Sequence, residues 1–205
     1  MMVRIQTIRE DSVGRYVKAL GLVALACALA SCATSSIETN KDPASLKIIE
    51  KVYVIVNVGD VKMLRGKDSK LKDDSVAGCL QQAIEEACGA QSVEQKTVRI
   101  GGLELGENDI KKDIEDYGAT VVMTVELTDG TVTGGWTGDV LHSGNIVVSI
   151  IDTQLDNKTV WKAKLGLQSY SNWGIPESTL RGLIGKLFAA MTTDGLLKPA
   201  VVTGT

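Results

Sequence analysis

The sequence predicts an α+β domain: a mixed five-stranded sheet in the order β-α-β-α-β-β-β-α, with its helices mainly on one face. Three observations predict it. Five short runs rich in β-branched residues fall between residues 46 and 168. Three longer segments carry apolar side chains at three-and-four spacing, the period of a helix buried on one side. Helical segments separate the first three strands, whereas the last three follow one another directly. That order asks for parallel pairing through a crossover first and an antiparallel meander afterwards.

Leu46 to Val58 opens the domain as a strand. Val52, Val54, Val56 and Val58 alternate with Tyr53, Ile55 and Asn57, and both faces start apolar, which suits an interior strand. Residues 59–73 break the alternation with five Lys/Arg and read as a solvated loop. From Asp74 to Cys88, Val76, Leu80, Ala83, Ile84 and Ala87 fall at helical spacing. Asp74 or Ser75 can accept from the free first-turn N–H groups, and Gly89 supplies a stop. Val93 to Ile100 reads as the second strand and residues 101–106 as a turn. A second helix runs from about Asn108 to Tyr117, with Ile110, Ile114 and Tyr117 as its apolar stripe and Gly118 as its end.

Ala119 to Thr128 is the clearest strand. Val121, Met123, Val125 and Leu127 point one way, and Val122, Thr124, Glu126 and Thr128 the other. One apolar face against a mostly polar one marks a sheet covered on one side. Residues 129–139, with four glycines, read as a long flexible connection to a strand from about Val140 to Thr153. Gln154 to Lys158 is a turn. Thr159 to Gln168 then alternates Trp161, Ala163, Leu165 and Leu167 with Lys162 and Lys164. After a loop over residues 169–176, Leu180, Leu183, Ile184, Leu187, Phe188 and Met191 repeat along a third helix, Glu177 to Thr192, with Pro176 near its first turn. Residues 193–205 read as a frayed tail.

Residues 1–31 stand apart from this pattern. Arg4, Arg9, Arg15 and Lys18 form a basic region diluted by Glu10 and Asp11, and the uncharged run Ala19–Ala30 follows. Twelve helical residues reach about 18 Å, short of the ~30 Å hydrocarbon core, so the run is a signal-peptide stretch and not a span. Leu29-Ala30-Ser31-Cys32 resembles the lipobox of bacterial lipoproteins. The resemblance implies that the Cys32 thiol receives a diacylglycerol, that the chain is cut before it, and that the new amine takes a further acyl chain such as palmitate. Ala28-Leu29-Ala30 also meets the rule for ordinary secretory cleavage, which would leave a soluble secreted protein. Ala33 follows the cysteine where enteric inner-membrane lipoproteins carry Asp. By resemblance this implies the periplasmic face of the outer membrane, with the inner membrane as the alternative. Residues 33–45 are polar with a proline and read as a flexible tether reaching at most about 45 Å. The expected organisation is a signal peptide over 1–31, a tether over 32–45, one domain over 46–192 and a tail over 193–205.

Residues 1–31 carry four basic and two acidic residues, so a whole-chain charge of −3 leaves −5 on the remainder. That acidic balance gives no footprint for nucleic acid and no polybasic patch for anionic lipid. Cys79 and Cys88 lie in one expected helix, nine positions and roughly 13 Å apart, whereas bridged Cα atoms need to be within about 7 Å. Two free, partly buried thiols are expected. His142 is the only histidine, no GxSxG elbow is present, and no cluster of His and Cys suggests a metal site. Asp109, Asp113, Glu115 and Asp116 flank the Ile110/Ile114 stripe and read as the solvated side of a helix. Gly101-Gly102 and Gly134-Gly135 continue into no phosphate-binding motif. No cofactor and no catalytic group is therefore expected. The placement of aromatics says more. The chain after residue 31 has seven, and two of them, Trp136 in the glycine-rich connection and Trp173 before the last helix, fall in loops. Tryptophan is enriched at binding hot spots, so the two are candidate partner contacts; the alternative is that each folds over a sheet end.

Ile114 to Leu127 and Val147 to Ala163, the latter with Ile151-Asp152 and Val160-Trp161-Lys162-Ala163 around a short turn, resemble a group of periplasmic lipoprotein domains. The group includes the penicillin-binding-protein activator lipoproteins, the curli secretion lipoprotein and the amino-terminal domain of the Tol-Pal translocation protein. The resemblance implies an accessory protein of the cell envelope that binds another envelope protein or itself, without catalysis. No functional residue transfers with it. The alternative, of another class, is a lipoprotein that carries a small ligand in a cleft beside the sheet.

Overall fold

A computed structural model describes residues 33–42, 47–65, 69, 71, 74–100, 107–135, 138–169 and 174–199. Contacts divide the chain into a unit over Met1–Cys32, which lies outside the described residues, and a unit over Ala33–Thr205. In the second unit the elements are β1 (Ala33–Lys41), β2 (Lys51–Asn57), α1 (Val76–Ala90), β3 (Glu94–Arg99), α2 (Glu107–Tyr117), β4 (Val121–Gly135), β5 (Gly138–Asp152), β6 (Lys158–Ser169) and α3 (Glu177–Thr193). The strands form one open mixed sheet in the order β1-β6-β5-β4-β2-β3. β2 pairs in parallel with both β3 and β4, and β4, β5 and β6 form the expected antiparallel meander.

Five strands were expected and six are present. The additional one is β1, which lies within the expected tether. It runs antiparallel to β6 in unbroken register from Ala33↔Ser169 to Lys41↔Trp161. Its far end is held by ion pairs from Lys41 to Asp194 and from Lys158 to Asp42, at 2.6 and 2.5 Å. The folded unit therefore starts at residue 33, not at residue 46.

The helices are divided between the two faces. α1 and α3 cover one side and bury Val52, Val54, Val56, Met123, Val125, Ile146, Val148, Ile150 and Trp161 beneath Leu80, Ile84, Leu183, Ile184 and Leu187. α2 packs Ile110, Ile114 and Tyr117 on the opposite side, over Tyr53, Val122 and Ile151. Chain direction accounts for the split. From β2 to β3 the chain steps one way along the sheet, and from β3 to β4 it steps back across β2. Parallel crossovers are almost always right-handed, so reversing the step moves the helix to the other face.

Local chemistry fixes the element ends. Ser75 caps α1, its Oγ accepting the Gly78 N–H at 3.0 Å. Gly89 does not stop α1; the helix runs on to Ala90, and the left-handed residue beyond it is Ser92, at φ 56°. Gly118, at φ 71°, ends α2 as expected. The 129–139 connection is mostly strand: β4 and β5 stay paired to Gly135↔Gly138 after register shifts near Thr128 and Thr131. At the opposite end, Leu155 accepts the Lys158 N–H at 3.0 Å across Asp156 and Asn157, both at positive φ, a primed turn that matches strand twist.

Two further segments are more ordered than their composition suggested. Val61–Leu64, expected as solvated loop, is stitched between elements. Lys62 N–H donates to Asp139 O, and Leu64 N–H to Ile175 O, both at 2.8 Å, while Met63 is buried. The expected tail after α3 instead folds back: Leu196 N–H donates to Met191 O at 2.9 Å, and Leu196 and Leu197 are buried.

Candidate functional site

The residues singled out from sequence, Leu29, Ala30, Ser31, Cys32, Trp136 and Trp173, lie outside the described residues. Their described chain neighbours are Ala33 for the lipobox, Gly135 and Gly138 for Trp136, and Ser169 and Gly174 for Trp173. His142 is half-buried on β5, its Nε2 2.6 Å from the Thr133 hydroxyl. Cys79 and Cys88 form no disulfide and are fully buried, deeper than expected, and burial pushes the Cys88 thiol up to about 12. Among the described residues no three His, Cys, Asp or Glu side chains converge as a metal site would need, and no helix is long and apolar enough to cross a membrane.

Among the described residues, the second face of the sheet holds two surfaces with room for a partner. α2 packs over β2 and β3 and reaches Val122 of β4 and Ile151 of β5. At the edge of α2 lies a cleft of about 810 Å³. Ile55, Val122 and Ile151, one from each of three strands, supply apolar lining, Ile110 and Ile114 come from the helix, and Thr124, Thr153 and Asn157 add polar groups. Sequence reasoning offered a cleft beside the sheet as an alternative but assigned it no residues. Beyond it, the β4–β5–β6–β1 part of this face is polar and, among the described residues, uncovered. Glu126, Lys162, Lys164 and Glu38 are exposed there, and a shallow depression of about 340 Å³ runs between Glu38, Val147 and the two lysines. The lysines point away from the core, as the alternation in β6 implied.

Asp113 is more than a solvated helix residue. Its carboxylate accepts from Lys96 Nζ at 2.6 Å and from the Tyr53 hydroxyl at 2.5 Å, pinning α2 to β3 and β2. The Lys96 bond, then the Tyr53 bond, hold its pKa below the ordinary carboxylate range. Burial first, and the same bond second, push the Tyr53 hydroxyl upward. Tyr117 meets Tyr53 edge-on at 6.1 Å, and Lys51 Nζ sits 4.2 Å from the centre of its ring. The Tyr117 hydroxyl is buried without a hydrogen-bond partner among the described residues; burial first and the Glu94 charge second raise its pKa.

The pin has a pH signature. A carboxyl with a folded pKa below the unfolded value, near 3.9, binds more protons unfolded than folded inside that window. Its stabilisation is present above the unfolded pKa and is lost as pH falls through the folded one. Asp113→Asn is therefore expected to lower the urea midpoint at pH 7 and to flatten the loss of stability between about pH 5 and pH 3. Urea titrations across that range check it; equal acid sensitivity in both proteins would remove the pin from the account.

No protein-family model matches the chain, and no well-characterised protein matches it in sequence. The fold is distantly similar to several solved structures. A PelC dodecamer from Paraburkholderia phytofirmans is 13% identical with a TM-score of 0.45, the match covering 76% of this chain and 96% of that one. Lipoprotein GNA1162 from Neisseria meningitidis is 12% identical with a TM-score of 0.36, covering 70% and 95%. A minor lipoprotein from Acinetobacter baumannii is 16% identical with a TM-score of 0.31, covering 70% and 90%.

Proposed function

We propose that the chain is a lipid-anchored accessory protein of the bacterial envelope, facing the periplasm from the outer membrane. It works by binding another envelope protein, or a second copy of itself, and not by catalysis. The observation that carries this reading is the lipobox Leu29-Ala30-Ser31-Cys32 directly after the apolar run. The fold supports it with a polar sheet face, uncovered among the described residues, that carries Lys162 and Lys164 between Glu38 and Glu126 around a shallow depression.

In-cell crosslinking followed by affinity capture tests the reading. The wild type is expected to yield a discrete crosslinked species. Trp136→Ala with Trp173→Ala, and separately Lys162→Glu with Lys164→Glu, are expected to reduce it by ten-fold or more where the altered pair carries hot-spot contacts, about 1.4 kcal/mol or above. A wild type without crosslinks, or crosslinks untouched by both pairs, would remove the partner-binding proposal.

The second reading, carriage of a small ligand, is favoured by the cleft beside α2. Its size falls in the range of small-molecule sites, about 300–1,000 Å³, and its lining mixes apolar side chains with polar ones, Lys111 and Glu115 among them. Native mass spectrometry of protein taken from its own envelope would then show a retained adduct that Val122→Trp abolishes. An apo mass alone counts against this reading.

A further inference from the structure

Strand register indicates which end of the domain meets the membrane. The inference rests on the proposed acylation of Cys32. That residue is peptide-bonded to Ala33, so consecutive Cα atoms lie about 3.8 Å apart, and Ala33 is the first residue of β1, paired with Ser169. The first nine residues of the spacer expected from composition are thus taken up by β1. Strand directions then define one end of the sheet: β1 starts there, β6 and β4 finish there, and β5 starts there.

At that end the β4–β5 ladder outruns the sheet. β5 pairs with β6 only as far as Ser143↔Gln168, whereas β4 and β5 continue to Gly135↔Gly138. The base of this arm is fixed. Leu141 is fully buried, its N–H donates to Lys62 O at 3.0 Å, and its carbonyl accepts the Ile175 N–H at 2.9 Å. Gly174 stacks against Val140 so closely that an added Cβ would lie 2.4 Å from a Val140 methyl. Beyond the base, residues 131–134 are all exposed, and Val132 is 39% exposed. In residues 131–135 and 138–141 the only ionised side chain is Asp139. An arm with an exposed valine and almost no charge, fixed at its root, can enter the headgroup layer at little desolvation cost.

We propose that this arm rests on the phospholipid surface that holds the Cys32 acyl chains, with Val132 in the interfacial layer. The opposite end, with the Thr153–Asn157 turn and exposed Leu155, points into the periplasm. In this pose the cleft beside α2 and the uncovered sheet face stand roughly upright on the membrane, open to partners from the side.

Full-length acylated protein in phosphatidylethanolamine/phosphatidylglycerol vesicles tests the pose. Val132→Cys and Leu155→Cys, both at exposed positions, are labelled with an environment-sensitive fluorophore; Cys79 and Cys88 are buried and take up no label while the fold holds. Doxyl-labelled lipid is expected to quench the probe at 132 at least three-fold more than the probe at 155. Thr131→Cys provides a second probe on the arm and is expected to follow 132. Equal weak quenching at both ends, or stronger quenching at 155, overturns the pose. Mass spectrometry of the Cys32 peptide separates the two ideas: an acylated peptide with no difference in quenching sinks the pose alone, and an unacylated peptide sinks the anchoring reading and the pose with it.

Discussion

Cys32→Ala is expected to abolish acyl labelling of the protein and to leave the precursor uncut by the lipoprotein peptidase. The expectation follows from chemistry and from anchoring energy. The peptidase acts on a diacylglyceryl thioether, which alanine cannot form. Each buried CH₂ contributes about 0.8 kcal/mol, and a single myristoyl chain binds membrane only marginally, with an association constant of about 10⁴ M⁻¹. Three chains on one residue would hold the protein for its lifetime, so losing the thiol removes the whole anchor. The remaining chain offers no substitute, being acidic overall and without a polybasic patch. Radiolabelled palmitate incorporation and gel mobility read both effects. Cys27→Ala, inside the apolar run, provides the control and is expected to label and mature normally. Label persisting on the Cys32 variant, or a wild-type chain that begins at Ser31, would end the lipoprotein reading.

The same residue shows how far sequence reaches. The lipobox proposal rests on a local signal: small residues beside a cysteine at a set distance from an apolar run. α3 is legible for a similar reason, since Leu180, Leu183, Ile184, Leu187, Phe188 and Met191 are all buried where the period placed them. β6 was read from alternation and its buried side matches; β4 matches at Met123 and Val125, but Val122, read onto its polar side, is buried beneath α2. β1 could not be found this way. ATSSIETNK offers one large apolar side chain, Ile37, and that one is only partly buried. An edge strand of this kind is held by backbone pairing and end-on ion pairs, which leave no hydrophobic pattern. The hairpin arm was hidden by its glycines and threonines for the same reason. The face chosen by α2 depends on sheet order, which single elements do not encode. The cleft beside α2 needs the β2–β4–β5 register to bring Ile55, Val122 and Ile151 together, and the Asp113 pin joins residues 60 and 17 positions apart in the chain.

The largest effect on stability is expected at Trp161. It is among the largest fully buried side chains, 1% exposed, and packs beneath α3 in the main core. Truncation of a buried Trp to Ala costs about 3–5 kcal/mol from lost transfer and the cavity left behind, roughly a fifth or more of the stability of an ordinary domain. Trp161 also has a polar role. Its Nε1–H donates to Asp194 Oδ2 at 2.8 Å, just beyond the end of α3, and the other oxygen of Asp194 takes Lys41 Nζ at 2.6 Å from β1. One carboxylate thereby ties the last helix to β6 and to the edge strand. The Lys41 bond, then the Trp161 bond, hold its pKa below the ordinary range, so this tie is complete at neutral pH and fails as acid protonates it. Asp194→Ala leaves the indole N–H without its acceptor, at about 1–3 kcal/mol, while the freed Lys41 reaches water and costs little. Once Trp161 is absent, Asp194 has only Lys41 to hold, so removing both is expected to cost less than the sum, by roughly 0.5–3 kcal/mol of coupling. Urea unfolding followed by far-ultraviolet circular dichroism of the four proteins closes the cycle. A loss under 1 kcal/mol for Trp161→Ala would mean that the α3–β6 contact is not the core of the fold, and strict additivity would mean that the indole and the carboxylate act separately.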